Sequence, residues 1–498
     1  MEATVNIHTL FRDIPFFSPD ESASYKQNIT EYQSKELLGR VQPLDSNQVT
    51  KLVQIANHAE IALYPYSSGM NWGQGSKVPM ADHSLLVDLS RLNQIIELNE
   101  RFGYVILEAG VTQGQLAEFL LDTPFKLPVT GSAVSTSVVG NLLERGTTAF
   151  NHRNSLLLGV EAVLGNGKVI RTGLWHYASE QQSHPPISLS YAKGLGPDLN
   201  GLFTQSNIGI VTKVILKLLP RRNGIILHAE TNEARLSSLV DTLYKLGEDH
   251  ITRGWALVTN KNDPRTTTPG QYAYTGDWFI LSSIEGANSD ITQQQLIEAR
   301  KRLEPICHHV DFIATDDHER IHKHPFFSIL VNLYNGIPSN YSLDTMAQMA
   351  GISLNNSYAI DQNITMPGFS VVLPAVPFDG ESIRKVMDTV QAVSSRLGVH
   401  TFYNFGTVDN YTFEGFYRVY FDRNDAKAVA KAHRWNKEVH LALEQIGVYP
   451  YRNNIGMMDH FTNRPDDDFW ATIQNIKVAT DPNGVIAPGR YCIPTSGL

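Results

Sequence analysis

The feature that most constrains the fold is a loop of small residues at 64–75, which reads Tyr-Pro-Tyr-Ser-Ser-Gly-Met-Asn-Trp-Gly-Gln-Gly. Apolar residues precede it and a second apolar stretch, 84–89, follows it, so the loop is predicted to join two strands. Gly69, Gly73 and Gly75 permit positive φ and carry no Cβ, which lets several backbone N–H groups converge on one anion. Taken alone, the pattern favours an ordinary loop, because small polar residues are common between strands.

Three further segments accompany this loop in a fixed order. A second run of small residues occupies 130–146, the segment 198–213 contains Ser-Asn-Ile-Gly-Ile, and 481–490 reads Asp-Pro-Asn-Gly-Val-Ile-Ala-Pro-Gly-Arg. As a set, these segments resemble the vanillyl-alcohol oxidase / p-cresol methylhydroxylase superfamily of flavoproteins, and above all its phenol-oxidising branch (vanillyl-alcohol oxidase, eugenol oxidase and 4-cresol dehydrogenase). The resemblance runs from about residue 40 to about residue 492.

Composition and charge argue against several other classes of protein. The 498 residues are too many for one simple core, so two domains are expected, or three. A net charge of −9 and the lack of a long basic run argue against nucleic-acid binding. The two cysteines, Cys307 and Cys492, make neither a disulfide scaffold nor a metal motif, which fits a reducing cytoplasm, and no metal site is expected. No signal peptide and no membrane span are predicted.

The order of the apolar segments predicts an α+β fold in two parts. In the first part, strands and a hairpin turning at Asn99–Gly103 alternate with a helix at 46–59, capped by Asp45 or Ser46, and another capped by Thr112. In the second part, strands alternate with long amphipathic helices, predicted at 232–245, 291–303, 380–397 and 425–443. The tail is predicted to be loop rather than core, because it carries Asp-Pro-Asn-Gly and Ala-Pro-Gly turns.

Two common nucleotide-binding motifs do not occur. There is neither a G-x-G-x-x-G after a strand nor a G-x-x-x-x-G-K-[ST], so loops would have to hold any hydride carrier. The resemblance agrees, since it implies FAD extended between two subdomains of a PCMH-type domain. The implied organisation is an FAD-binding domain over 1–221 with an N-terminal arm at 1–35, a substrate (cap) domain with a large antiparallel sheet over 222–452, and a C-terminal segment, 453–498, that returns to the FAD domain. The active site would lie between the two domains.

The resemblance assigns cofactor contacts to three loops. The residues so implied are Tyr66, Ser67, Ser68, Gly69, Met70 and Asn71 at the pyrophosphate, Thr136, Ser137, Gly140, Asn141 and Gly146 in the second loop, and Ile208, Gly209 and Ile210 in the third. The alternative for Ile208 and Ile210 is that they are part of a core strand. Arg490 stands where the family has a lysine near the cofactor, and it is predicted to be a cation beside FAD.

The pair Tyr451-Arg452 matches the Tyr-Arg pair of the phenol oxidases. Reduction of a flavin places negative charge at its N1/C2=O edge, where a fixed guanidinium stabilises the anion. In the family, the pair also binds and ionises the substrate phenol. The alternative is a surface arginine beside a packed tyrosine.

Other positions depart from the family pattern. The substrate-binding tyrosine of the family falls on Gln74, its active-site aspartate near Ser132, and a further tyrosine around Thr148 or Ala149. A serine hydroxyl cannot replace a carboxylate as a base at neutral pH. The candidates for acid/base chemistry are therefore His152, Glu414 and His460, each of which could instead be a surface or core polar residue.

A covalent bond to the flavin is not expected. The 69–75 loop contains no histidine, and Glu414-Gly415 falls where the branch has an attachment histidine in the cap domain. A tyrosyl link exists in the 4-cresol branch, which makes Tyr411 and Tyr417 the alternatives. We predict non-covalent FAD.

The resemblance implies an FAD-dependent oxidoreductase, an oxidase or a dehydrogenase. It would transfer a hydride to flavin N5 from a small aromatic or heterocyclic alcohol, amine or alkyl substrate, in a step such as biosynthetic tailoring. One alternative is a para-substituted phenol oxidase of the vanillyl-alcohol or 4-cresol type, and another is a catalytically degenerate flavin-binding protein. The expected partners are O2 or another electron acceptor and a second copy in a homodimer, and a cytochrome partner stays open.

Overall fold

A computed structural model describes residues 7–148, 150–178, 186–253, 256–263, 274–322, 325–349, 366–409, 411–464 and 466–491. Within these ranges the chain forms sheets of four, five and eight strands and a two-stranded ribbon, with helices packed against them. The predicted α+β class is confirmed. Of the helices in these ranges, none combines the length and the apolar composition that crossing a bilayer requires.

The first sheet follows the short helix α1 (Ile7–Leu10). Its strands are β1 (Phe16–Phe17), β2 (Leu37–Val41), β3 (Leu63–Tyr66) and β4 (Ser84–Asp88), in the order β1-β2-β4-β3. Helix α2 (Ser46–Ala59) connects β2 to β3, and both pair in parallel with β4. Of the two residues predicted to cap α2, Asp45 does so, since its side chain accepts a hydrogen bond from the Gln48 N–H.

The second sheet is antiparallel. Its strands are β5 (Ile95–Asn99), β6 (Tyr104–Glu108), β8 (Leu157–Leu164), β9 (Val169–Arg171) and β10 (Gly209–Lys217), in the order β5-β6-β10-β8-β9, while β7 (Phe125–Lys126) and β11 (Leu219–Pro220) form the ribbon. The helices here are α3 (Gln113–Phe119), α4 (Val138–Leu143) and α5 (Pro186–Ser190). The predicted hairpin is confirmed, and α3 begins with a capping box between Thr112 and Gln115.

The third sheet is the large antiparallel one. Its strands are β12 (Ile225–Thr231), β13 (Leu257–Asn260), β14 (Trp278–Ile284), β15 (His309–Ala314), β16 (Gly368–Pro377), β17 (Phe402–Thr407), β18 (Thr412–Phe421) and β19 (Pro450–Arg452). Their order is β15-β12-β14-β13-β17-β18-β16-β19. Because side chains alternate along each strand, this sheet has two distinct faces.

The two faces of the large sheet carry different layers. The four predicted long helices are present as α6 (Leu236–Glu248), α7 (Ser289–Leu303), α11 (Gly380–Leu397) and α12 (Ala426–Gln445), and they form a core on one face. The opposite face is covered by α9 (Pro325–Asn335), with α8 (His318–His322) before it and α10 (Tyr341–Met349) after it. Leu257 and Phe279 point to this second face, and the neighbouring Val258 and Trp278 point to the first.

The C-terminal stretch is not the loop that the sequence predicted. It contains α13 (Met458–Thr462) and α14 (Asp468–Thr480), and Val485 and Ile486 are fully buried in the core of the first two sheets. Ile486 bridges Leu63 of β3 in parallel. The Asp-Pro-Asn-Gly turn marks only where α14 ends, and the apolar residues after it extend the first sheet, which turn chemistry does not reveal.

Candidate active site

Two cavities adjoin on the side of the large sheet that faces the first two sheets. The first has a volume of about 170 Å³ and the second of about 280 Å³. Met70, Asn141 and Arg452 line both. A group that spans this shared wall would therefore be in contact with both cavities.

The first cavity is built from the loops that the sequence singled out. The predicted cofactor residues that line it are Tyr66, Ser67, Ser68, Gly69, Met70, Asn71, Thr136, Ser137, Gly140, Asn141, Gly209, Ile210, Arg452 and Arg490. Two predicted contacts lie elsewhere: Gly146 lines the second cavity, and Ile208 is buried in the hydrophobic core. Ile210 belongs to the same core but also reaches the cavity wall.

Local geometry explains why these loops need small residues. The Ser137 N–H donates to Ser68 Oγ at 3.0 Å, which joins the first loop to the start of α4. Gly73 has φ +75°, and a Cβ there would lie 2.6 Å from Val371 Cγ1, so this part of the loop packs directly on the large sheet. This part of the loop lies between Trp72 and Val371 of the second cavity and therefore depends on a close backbone approach.

A cluster of charged groups surrounds the shared wall. The Arg452 guanidinium donates to Asn71 Oδ1, and its Nε lies 3.8 Å from Glu144 Oε2. Arg490 donates to Glu144 Oε1 at 2.8 Å and to the Tyr64 hydroxyl at 3.2 Å. Burial would raise the pKa of Glu144, but Arg490 and Arg452 outweigh it and hold that pKa below its ordinary value. Arg452 therefore stands beside an ionised carboxylate.

Glu144 was not among the predicted site residues. It lies in the same run of small residues, as the acidic residue of Gly140-Asn-Leu-Leu-Glu-Arg-Gly146. An acidic residue inside a loop that is expected to bind an anion was the available signal. What the sequence does not contain is its pairing with Arg490, which lies far along the chain.

The polar end of the second cavity brings together four side chains. Tyr451 and Thr147 line the cavity, and Glu414 hydrogen-bonds to both. The carboxyl of Glu414, fully buried on β18, also contacts His152 Nε2. The rings of His152 and Tyr451 stack at 5.3 Å.

Burial controls the protonation of this group. It raises the pKa of Glu414 to about 8 and lowers the pKa of His152 to about 4. Near neutral pH the contact therefore holds one proton, shared between a neutral imidazole and a carboxyl group. Burial also raises the pKa of Tyr451 well above its ordinary value, which keeps its hydroxyl protonated. The group can take up or release a proton close to pH 8.

The remaining wall of the second cavity is largely aromatic and apolar. It includes Trp72, Phe369, Phe416 and Tyr420, and sequence reasoning predicted none of them. Arg418 also lines this cavity, donating to Asn404 Oδ1 at 2.7 Å and pairing with Asp263. Alternation along β18 was the available signal, because residues 414, 416, 418 and 420 share one face.

The other predicted residues lie in various places. Ser132 and Thr148 line the second cavity, with Ser132 Oγ 2.8 Å from Thr130 Oγ1, while Ala149 lies outside the described residues. Gln74 is buried but lines neither cavity, and His460 pairs with Glu444 on the surface, away from both. Tyr411 is 70% exposed, and Tyr417 is buried in the core on the opposite face of the large sheet.

The first cavity has the groups that an FAD would require. Backbone approach at its glycines, two arginines and several hydroxyls line it. In addition, Tyr66 OH, Asn141 Oδ1 and Arg452 Nε are buried without a hydrogen-bond partner in the part of the chain that the structure describes. Buried polar atoms are rarely left unpaired, so these atoms fit a polar ligand at this place.

Comparison with known proteins agrees with this geometry. The family model of the FAD binding domain matches residues 38–173. The 1'-carboxy-chondrochloren decarboxylase of Chondromyces crocatus is 27% identical, over 95% of this chain and 94% of the relative. The 4-cresol dehydrogenase [hydroxylating] flavoprotein subunit of Pseudomonas putida is 24% identical, over 89% and 85%. Among solved structures, p-cresol methylhydroxylase with substrate bound aligns with a TM-score of 0.83 at 21% identity, covering 98% of this chain and 95% of that one.

These likenesses extend over nearly the whole chain, and they include both the cavity-forming loops and the large sheet. The predicted fold and cofactor are confirmed, and the comparisons support the predicted family. The chain is an FAD-dependent oxidoreductase that resembles the PCMH-type flavoproteins over nearly its whole length.

Proposed function

We propose that the protein oxidises a small aromatic substrate bound in the second cavity, and that the Glu414–His152 pair takes up the proton released from it. FAD held in the first cavity would supply the hydride acceptor, flavin N5. The observation that carries the proposal is the position of Glu414: a buried carboxyl with a pKa of about 8 next to Tyr451 and near the wall that both cavities share.

The chain's own residues would divide the work. The aromatic walls pack against a planar ring, and the Tyr451 hydroxyl and the Arg452 guanidinium provide donors at one end of it. The positive charge of Arg452 favours negative charge on the groups at the shared wall. The proton would reach the Glu414 carboxylate through the hydroxyls of Tyr451 and Thr147, which line the cavity and hydrogen-bond to it. His152 holds that carboxyl in place.

The departures from the family pattern favour this reading over a para-substituted phenol oxidase of the vanillyl-alcohol or 4-cresol type. Gln74 replaces the substrate-binding tyrosine and does not reach the second cavity. Ser132 reaches the cavity but provides no carboxylate. In this protein the proposed base, Glu414, lies on the large sheet, whereas the family pattern has its aspartate in the 130–146 loop. The proton acceptor would therefore lie on another side of the substrate.

A second candidate reaction is oxidative decarboxylation. It is favoured by the likeness to a relative named a decarboxylase and by the buried Arg418 in the cavity wall, which could face a substrate carboxylate. In this reaction, the hydride leaves a carbon adjacent to the one that carries the carboxylate. The electron pair of the C–CO2 bond then forms the new C=C bond, and CO2 is released.

Anaerobic mixing with a panel of substrates tests the proposal. The panel contains 4-alkylphenols, benzylic alcohols and 3-arylpropionic acids, and flavin absorbance is recorded with released CO2. Bleaching by an alcohol or an alkyl substrate without CO2 supports hydride removal alone, whereas bleaching with one CO2 per flavin supports the second candidate. Absence of bleaching with every compound, in a protein whose flavin dithionite reduces, would instead favour a degenerate flavin-binding protein.

We further propose that FAD is bound without a covalent link. By the resemblance, Glu414-Gly415 stands where the branch has its attachment histidine, and neither Tyr411 nor Tyr417 lines either of the two cavities. Acid precipitation should leave the yellow colour in the supernatant, and a yellow pellet would contradict the proposal.

Assembly, location and domain limits complete the proposal. We propose a cytoplasmic homodimer that passes electrons to O2 or another acceptor, supported by the family likeness and by the scarcity of cysteine. Cys307 is buried and unpaired, and Cys492 lies outside the described residues.

The proposed domains are 1–221 with 453–498, and 222–452, since the buried Val485 and Ile486 join the tail to the first core. Light scattering checks the oligomeric state, and limited proteolysis checks the domain limits.

A further inference from the structure

Away from both cavities, three side chains with metal-ligating atoms converge on one edge of the large sheet. His228 and Glu230 lie two residues apart on β12, so they share a face of the sheet. His309 on the edge strand β15 is the register partner of Glu230. One potential ligand atom from each of the three lies within 4.8 Å of the others.

We propose that His228, Glu230 and His309 form a binding site for a divalent transition-metal ion of the zinc type. Two imidazoles and one carboxylate are a ligand set that such ions bind in proteins, commonly with a water molecule in the remaining position. The site is independent of the flavin chemistry, since none of the three residues lines either cavity. The sequence alone does not predict this site, because His309 is distant from His228 and Glu230 along the chain.

The carboxylate of Glu230 is oriented as a metal ligand would be. Its Oε2 accepts hydrogen bonds from the Thr275 N–H at 2.6 Å, the Thr275 hydroxyl at 2.8 Å and the Gly276 N–H at 2.9 Å. Such contacts behind a ligating group fix its direction and strengthen the metal site. The second oxygen, Oε1, is left to point toward the two histidines.

Glu230 Oε1 lacks a hydrogen bond of its own. The side chain is fully buried, and within the described residues this oxygen has no hydrogen-bond partner. Its distance to His228 Nε2 is 3.4 Å, longer than the 2.7–2.9 Å typical of a charge-assisted hydrogen bond. A buried carboxylate oxygen without a hydrogen bond is well suited to a cation.

The surroundings leave room for an ion to enter. His309 is only partly buried, so an ion can arrive from the edge of the sheet. His228 packs at 4.8 Å against Phe327 of α9, on the inner side of the site. Because the ligands lie on β12 and on β15, a bound ion would link these two strands.

The test uses the whole FAD-loaded protein after removal of metal with EDTA. Zn²⁺ is titrated calorimetrically, and Co²⁺ is titrated with its visible d–d absorption as a report of nitrogen and oxygen coordination. We expect one equivalent to bind. His309→Gln should lower the affinity about 100-fold or more, since even outer-shell changes cost about 10–100-fold. Glu230→Gln should have an effect of similar size.

His58→Gln is the matched control, since His58 is an exposed histidine on α2, beside the first sheet, and is not one of the three ligands. It should keep the wild-type affinity within about threefold, because a surface substitution away from the site has little effect. The midpoint of thermal unfolding should rise with Zn²⁺ in the wild type and in His58→Gln, and not in His309→Gln. Flavin absorbance and circular dichroism verify that each variant is folded. Failure of the wild type to bind one equivalent, or equal affinities in His58→Gln and His309→Gln, overturns the proposal.

Discussion

The two cavities are built by the chain in different ways. Most of the first is formed by short segments of chain: all of 64–71, seven residues between 136 and 144, and five between 205 and 211. Much of the second is formed by every other residue on strands of the large sheet, together with side chains from α9 and α10. A cavity built from short loops leaves a local record in the sequence. A cavity built across strands is specified by pairing between distant residues, such as Leu257 with Gly406, 149 positions apart.

Arg452 belongs to both cavities, so its removal should have the largest effect. Arg452→Ala is expected to slow flavin reduction by a bound substrate about 10³-fold, because it removes a positive charge from the place where negative charge develops. Rapid mixing under anaerobic conditions measures the rate. Arg452→Lys keeps the positive charge but loses the planar guanidinium with its paired donors. Its rate of flavin reduction should therefore lie between the rates of the wild type and Arg452→Ala. Equal rates in wild type and Arg452→Ala would show that Arg452 does not connect substrate binding in one cavity with flavin reduction in the other.

Glu414 lines neither cavity but hydrogen-bonds to Tyr451 and Thr147 in the wall of the second, so its removal should affect chemistry and leave FAD in place. Glu414→Gln should reduce the rate of flavin reduction about 10²-fold with an unchanged FAD content, because the amide cannot accept the proton. The matched control is Glu438→Gln on the surface, where Glu438 pairs with Arg434 and Arg396. A loss of FAD in Glu414→Gln would contradict the assignment to the second cavity.

Gly73 tests the close contact between the loop and the large sheet. Gly73→Ala should lower both FAD content and stability, since its Cβ would meet Val371 and its φ is +75°. Gly447→Ala is the control, because Gly447 has φ +77° but nothing within 4 Å of its Cβ position. Both substitutions place an alanine in the left-handed region, which costs about 1–2 kcal/mol in each variant. This strain therefore cancels when the two are compared. Denaturant unfolding should show a greater loss of unfolding free energy for Gly73→Ala than for Gly447→Ala. Equal losses would show that the contact with Val371 does not matter for stability.

The smallest effect concerns the dependence of stability on pH. Between the ordinary carboxyl pKa of an unfolded chain and the value of about 8 for Glu414, the folded state binds more protons than the unfolded state, so stability falls as pH rises. Glu414→Gln lacks this titration. At pH 8 it should be more stable than the wild type by about 1–3 kcal/mol, with little of this gain at pH 5. Chemical denaturation at both pH values decides, and parallel curves would count against the raised pKa.

The sequence was informative wherever neighbours along the chain determine the structure. The glycines and serines of 64–75 predicted a ligand-binding loop, and the capping pattern at Thr112 predicted the start of α3. The tail was misjudged, because burial of Val485 and Ile486 depends on β3, more than 400 residues earlier. Arg418, Phe416 and the partner of Glu144 were missed for the same reason. Strand alternation shows that residues share a face, but only the sheet order shows what they face.

The pH dependence of flavin reduction in the wild type and in Glu414→Gln tests the central claim most directly. With the substrate found to reduce the flavin, the wild-type rate should rise with pH and level off above an apparent pKa near 8, because the carboxylate form of Glu414 accepts the proton. In Glu414→Gln this rise should disappear while FAD remains bound. An unchanged rise in the variant would show that another group accepts the proton, and the proposed role of the Glu414–His152 pair would be wrong.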